Sequence, residues 1–225
     1  MSTVAIIPMA GTGTRLGMPF HKSLAPTLTT EGIKPLYWHV WSRLQAARPD
    51  RTVFVLSEAG FADPCLDNLP GERFQKPWGS ELASSLASVA RTLRPDDVCL
   101  VGLPDSIWYP DNGFRVAQAT YWGRQPADGV MLLFRGDNRV LDQVTLDPTG
   151  RVTSTILHAP AGATERRVLG WGGLVASAGC LATLADVSDG LGPQLAEFAF
   201  YGCELDGEYM DLGTPERYVR NMDQT

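Results

Sequence analysis

The sequence predicts an α/β fold in which a mainly parallel sheet is covered by helices on both faces. Two observations carry this expectation. Short, uninterrupted apolar runs at residues 4–8, 52–56, 98–103 and 129–134 have the length and composition of strands buried on both sides. Stretches with apolar residues at helical spacing lie between them, and strands that alternate with helices pair in parallel. The chain has 225 residues, 44% of them hydrophobic, enough to bury a sizeable core.

Each element follows from its residues. Residues 4–8 form a strand that ends at a glycine-rich stretch. Leu36, Val40, Leu44 and Ala47 share one face of a helix over 36–47. The β-branched and apolar run 52–56 makes a second strand. Leu82, Leu86, Val89 and Leu93 line one face of a helix over 80–93. Strand 98–103 runs directly into Pro104-Asp105, a helix is expected over 113–122, and a further strand over 129–134. The rhythm then changes. Segments 140–146 and 151–157 flank Asp147-Pro148-Thr149-Gly150, turn chemistry that predicts a hairpin. A strand over 168–176, a short helix over 193–198 with Pro193 in its first turn, and a closing helix over 211–222 complete the chain. The second half is therefore expected to add antiparallel strands and a lid-like region.

Composition excludes several classes. The 19 Lys and Arg against 25 Asp and Glu give a net charge of −6, and no basic cluster is long enough for a polyanion, so nucleic-acid binding is not expected. No apolar run approaches the roughly 18 residues that span a bilayer, so no membrane association is expected. The N-terminus lacks the basic and long apolar regions of a signal peptide. Cys65, Cys99, Cys180 and Cys203 are scattered, which reads as buried free thiols in a reducing cytoplasm. His21, His39 and His158 share no zinc-ligand spacing.

The sharpest motif is Gly11-Thr12-Gly13-Thr14-Arg15-Leu16-Gly17, which follows the first strand and precedes Lys22. Glycines turn the backbone tightly and expose consecutive N–H groups to an anion. Arg15 can fork onto phosphate oxygens, and Lys22 adds a mobile point charge. A dinucleotide fingerprint is excluded because Leu16 stands where it needs glycine, and a P-loop is excluded because no G-K-[ST] follows at its spacing. By spacing alone, a polyphosphate cradle and a plain glycine-rich turn with surface cations fit equally well.

Pro8-Met9-Ala10-Gly11-Thr12-Gly13-Thr14-Arg15-Leu16 followed by Lys22-Ser23-Leu24-Ala25-Pro26 resembles the signature loop of the sugar-1-phosphate nucleotidyltransferases. The resemblance continues through Lys34-Pro35-Leu36, Val101-Gly102-Leu103-Pro104-Asp105, the segment 144–152 and Tyr209-Met210-Asp211-Leu212-Gly213-Thr214-Pro215-Glu216. These motifs fall in the family's order over most of the chain. The resemblance implies a Rossmann-like nucleotidyltransferase (GT-A-like) fold: a mostly parallel mixed sheet flanked by helices, with a small antiparallel extension. It implies one domain over 1–225, with a nucleotide-binding half (1–135) and an acceptor-binding half (136–225).

The implied reaction moves a nucleoside monophosphate from a nucleoside triphosphate to a sugar 1-phosphate, with pyrophosphate released and Mg²⁺ required. Both reactants are anionic, so a cation held by two carboxylates would align the phosphates and screen their repulsion. The resemblance assigns the metal to Asp105 and Asp211, which lie 106 residues apart, and the phosphate contacts to Arg15 and Lys22. Taken singly, Asp105 also fits a turn or helix cap, and Asp211 the N-cap of the last helix. Ala10, Gly11, Gly13 and Thr14 fall in the nucleotide loop.

Gln75-Lys76-Pro77-Trp78-Gly79-Ser80 resembles the segment that approaches the base, with Gln75 at its edge and Gly79 beneath it, though a surface glutamine and a helix start fit as well. On the acceptor side stand His158, Gly172 and Trp171. His158 departs from the family's Glu-Lys-Pro, whose lysine meets the sugar phosphate, and Trp171 also fits a packed core. Expected partners are a nucleoside triphosphate and a phosphorylated small-molecule acceptor, with a homo-oligomer left open. Two other functions stay open: a cytidylyltransferase acting on a non-sugar phosphate, and a non-catalytic protein that binds nucleotide sugars.

Overall fold

The computed structural model describes residues 1–11, 20–29, 31–77, 81–160, 162–185 and 190–222, with side chains described to residue 219. In chain order the strands are β1 (Thr3–Pro8), β2 (Pro26–Thr29), β3 (Gly32–Pro35), β4 (Arg51–Leu56), β5 (Glu72–Gln75), β6 (Val98–Gly102), β7 (Ser106–Trp108), β8 (Gly129–Asp137), β9 (Gln143–Leu146), β10 (Val152–Ile156), β11 (Arg167–Ser177), β12 (Phe200–Glu204) and β13 (Tyr209–Asp211). The helices are α1 (Tyr37–Ala46), α2 (Glu58–Phe61), α3 (Leu82–Ala90), α4 (Gly113–Gly123), α5 (Ala178–Ala182), α6 (Leu191–Ala196) and α7 (Pro215–Met222).

Nine strands form one mixed sheet. Strands β5, β4, β1 and β6 lie side by side in parallel. Long β11 runs antiparallel to β6, β8 pairs antiparallel along its other edge, and β12 continues parallel to β8. The β9–β10 hairpin meets β11 at Gly170. Only β10 and β11 oppose the common direction, so the sheet is mostly parallel, as expected. Two small antiparallel ladders, β2–β3 and β7–β13, complete the pairing.

The apolar runs read as strands because both sheet faces are covered. Val4 and Ile6 of β1 point into one core with α3, α5 and α6, while Ala5 and Ile7 point into the other with α1 and α4. Strands β4, β6 and β8 divide their residues in the same way. Each fully buried aliphatic side chain contributes about 1.5–3 kcal/mol, so a run of four such residues outweighs the loose propensities of its neighbours. Helix α1 packs against the end of β6 through Gly102, where a Cβ would lie 2.2 Å from Val40 Cγ2.

The expected 147–150 turn is present. Asp147 Oδ1 accepts from the Thr149 and Arg151 amides at 2.8 and 3.0 Å, and Gly150 takes a φ of +84° that favours glycine. Several expectations are corrected. Asp211 does not begin a helix: it ends strand β13, and α7 starts only at Pro215. Gln75 is the last residue of β5, a strand absent from the expected elements. Cys65 is exposed, while Cys99, Cys180 and Cys203 are buried. Strands β2, β3, β7 and β12 were not legible as strands. The described helices include none long and apolar enough to cross a membrane.

Candidate active site

Parallel strands that run the same way deliver their C-terminal ends to one edge. There Pro8 ends β1 and Met9, Ala10 and Gly11 follow it, and Leu103, Pro104 and Asp105 follow β6. With Lys22, Glu81, Leu82 and Ser85 they line a cleft of about 240 Å³. Gly11 has open space where a Cβ would stand, which leaves its backbone approachable. Gln75, at the C-terminal end of β5, lies on this same edge and is exposed. Gly13, Thr14, Arg15 and Gly79 lie outside the described residues.

The ladder β7–β13 brings the two acids together. Asp211 pairs with Ser106, and the Leu212 amide donates to the Asp105 carbonyl at 2.8 Å, so Asp105 and Asp211 sit diagonally on neighbouring strands. A Cβ on Gly213 would lie 2.9 Å from Asp211 Oδ1 and 3.0 Å from Asp105 Oδ2. Both carboxylates therefore close on the same bare backbone, and their separation cannot exceed the sum of those distances. Burial, and then the charge of Asp105, push the Asp211 carboxyl above the usual carboxylate range against the pull of the Gly213 amide, Arg217 and Lys22.

Each acid already has a basic partner. Lys22 Nζ donates to Asp105 Oδ2 at 2.5 Å, with both side chains about one-fifth exposed. Arg217 Nη1 donates to Asp211 Oδ2 at 2.5 Å, and its Nη2 donates to the Arg139 carbonyl at 3.0 Å. Arg217 was not foreseen, because its place in Glu216-Arg217-Tyr218 reads as a solvated helix face. His21, likewise unassigned, caps the short turn that begins with the lysine. Its Nδ1 accepts from the Ser23 amide at 3.3 Å, so Nε2 carries the proton and donates to the Met9 carbonyl at 2.8 Å. Burial holds the His21 imidazole below its ordinary pKa, which matches this neutral form.

This donor set suits a hard divalent cation. It offers carboxylate oxygens held close together, with burial and the charge of Asp105 acting against ionised Asp211. Among the described residues no group of three His, Cys, Asp or Glu side chains gathers around one point. Two protein carboxylates would leave the remaining coordination to phosphate oxygens and water, the usual arrangement for Mg²⁺ beside a nucleotide.

The acceptor-side candidates divide. His158 is exposed, and Asp142 Oδ1 holds it twice, accepting from its amide at 2.9 Å and lying 2.9 Å from Nδ1. Trp171 is 6% exposed and packs in the sheet core. At Gly172 a Cβ would collide with the Tyr209 ring at 2.3 Å, so this glycine seats the tyrosine two residues before Asp211. Trp108 is fully buried between Phe114 and Phe134, with ring centroids at 5.4 and 5.3 Å, and forms a hydrophobic wall.

No family model and no curated protein sequence matches the chain. Solved structures do. HddC from Yersinia pseudotuberculosis superposes with a TM-score of 0.70 at 14% identity, covering 100% of this chain and 99% of that one. The UTP-bound UGPase from Acinetobacter baumannii gives 0.74 at 14% identity, with 100% and 93% covered. UDP-glucose pyrophosphorylase from Acinetobacter baumannii gives 0.74 at 16% identity, with 99% and 92% covered. At these identities the likeness shows the fold, which this chain shares over its whole length with all three.

Proposed function

We propose that the chain is a sugar-phosphate nucleotidyltransferase, a single domain over 1–225 that transfers a nucleoside monophosphate from a nucleoside triphosphate to a sugar 1-phosphate and releases pyrophosphate. The observation that carries this is the convergence of Asp105 and Asp211 on Gly213, with Asp105 lining the same cleft as Gly11 and Lys22. The fold supports it, because HddC has been solved with GMP-PN and UGPase with UTP.

Mg²⁺ held by Asp105 and Asp211 would screen the triphosphate and keep its α-phosphate in line with the acceptor. The chain's own residues supply the rest. The backbone of Ala10 and Gly11, with Gly13, Thr14 and Arg15 of the same motif, receives the phosphates through N–H groups and a guanidinium. Lys22, whose short turn His21 caps, moves its ammonium from Asp105 to the charge that develops on the departing pyrophosphate. Gln75 and Gly79 meet the base. His158, steadied by Asp142, meets the acceptor phosphate where the family's pattern has a lysine. No covalent step on the protein is needed, since positioning and electrostatics carry phosphoryl chemistry. Four unpaired cysteines favour a reducing cytoplasm as the compartment.

Pyrophosphate release measured across ATP, CTP, GTP, UTP and dTTP, each with a panel of sugar 1-phosphates and Mg²⁺, tests this reading. One base and one sugar class should stand out. Nucleotide-sugar binding without release on any pair would instead make the protein a binder.

A further inference from the structure

We propose that Arg217 is a built-in counter-ion that competes with a divalent cation for Asp211, and so sets how tightly the two-acid site takes its metal. The inference rests on the reading of Asp211 as a metal ligand and goes beyond it. Of the two carboxylate oxygens of Asp211, Oδ1 accepts from the Gly213 amide at 2.8 Å and Oδ2 from Arg217 Nη1 at 2.5 Å. Each oxygen of this carboxylate is therefore already engaged by one donor of the chain itself, with one further lone pair left on each. The arginine is not a loose surface cation. Its Nη2 is tied to the Arg139 carbonyl at 3.0 Å, and Arg139 is itself pinned by Asp137 at 2.5 Å and Glu165 at 2.6 Å.

This second bond decides the geometry. It fixes the guanidinium beside Asp211 while leaving one of its two terminal nitrogens to the carboxylate. A cation that arrives with the triphosphate has to compete with this charge-assisted hydrogen bond for Asp211, as it does with Lys22 for Asp105. Lys22 stands to Asp105 as Arg217 stands to Asp211, so the two acids are matched by two resident cations. One of these, Lys22, borders the cleft and is free to turn to a phosphate; Arg217 is anchored away from it, on α7, by the Arg139 carbonyl. Arg217 is thus a positioning residue that keeps Asp211 ordered and holds down its affinity for bare metal until phosphate oxygens complete the coordination.

Mn²⁺ titration in the absence of nucleotide, followed by the EPR signal of the free ion, tests this on the full chain. Arg217→Gln keeps a donor for the Arg139 carbonyl and removes the charge. It should bind Mn²⁺ more tightly than the wild type by a factor on the order of five, the scale of a partly exposed ion pair. Arg217→Lys should restore wild-type affinity, and Asp211→Asn should abolish binding in either background. General damage to the helix would lower affinity, so a rise cannot come from a merely structural role. Should Arg217→Gln unfold, guanidinium NMR of the wild type gives the same answer, with the Arg217 resonances shifting as Mn²⁺-free Mg²⁺ is titrated. Equal or weaker Mn²⁺ binding by folded Arg217→Gln, with binding still lost in Asp211→Asn, would overturn this inference and leave the two-acid reading intact. No Mn²⁺ binding by any variant, with or without nucleotide, would overturn both.

Discussion

Substituting Gly213 by alanine inserts one methyl group between the two acids. The built Cβ lies 2.9 Å from Asp211 Oδ1 and 3.0 Å from Asp105 Oδ2, whereas ordinary contact begins near 3.4 Å. Each oxygen must therefore retreat by a few tenths of an ångström. Both are the tips of side chains that can turn, so the fold survives. Alanine also stiffens the unfolded chain, and the net change in stability should stay within about 1 kcal/mol of zero. Metal ligation is less forgiving, since its distances hold to within about 0.2 Å. A full ångström at the reacting centre can cost about 100-fold, so a displacement of this size should lower turnover on the order of 10-fold. The assay pairs a urea melt with pyrophosphate release on the preferred substrates. Wild-type turnover in a folded Gly213→Ala protein would refute the view that the spacing of these carboxylates matters.

Three more outcomes are expected. Lys22→Met should lower turnover by about 10²–10³-fold with the melt little changed, because it removes a charge aimed at the developing pyrophosphate; an unchanged rate would count against that role. Arg43, 4% exposed, donates to the Trp108 carbonyl at 2.5 Å and the His39 carbonyl at 2.8 Å, and pairs with Asp111 at 3.0 Å. Arg43→Met strands those acceptors and should cost about 2–4 kcal/mol in urea unfolding, and a loss under about 1 kcal/mol would contradict the packing described. Burial, then the charge of Arg43, lower the His39 pKa to about 4. Its folded value is below its unfolded one, so its contribution is complete above about pH 6.5 and fades as pH falls towards 4, up to about 3 kcal/mol in all. His39→Gln, which can still bond Thr27, should flatten that part of the stability curve; parallel curves for mutant and wild type would exclude His39 as the cause.

Much of this molecule is legible in its sequence, for a physical reason. Strands such as 4–8 and 98–102 are buried on both faces, so their apolar runs have few other uses. Asp105 is legible because it ends such a run. The placement of Asp211 is not. Asp-Leu-Gly-Thr-Pro has the chemistry of a helix start, and its true setting depends on a three-residue strand pairing with Ser106–Trp108 across half the chain. A ladder that short leaves no periodicity to read. The β2–β3 hairpin is hidden likewise, since its four-residue strands expose Leu28 and Ile33. Arg217 and His21 act through single bonds to distant backbone, Arg139 and Met9, which no local pattern records. Trp171 reads both ways: its motif resembles a sugar border, and its burial gives packing a strong claim on it.

A crystal grown with Mn²⁺ and a non-hydrolysable analogue of the preferred nucleoside triphosphate bears most directly on the joint role of Asp105 and Asp211. Anomalous scattering should place one manganese within roughly 2.0–2.6 Å of an oxygen from each aspartate and of a phosphate oxygen. Manganese bound to the nucleotide but out of reach of both carboxylates would contradict it.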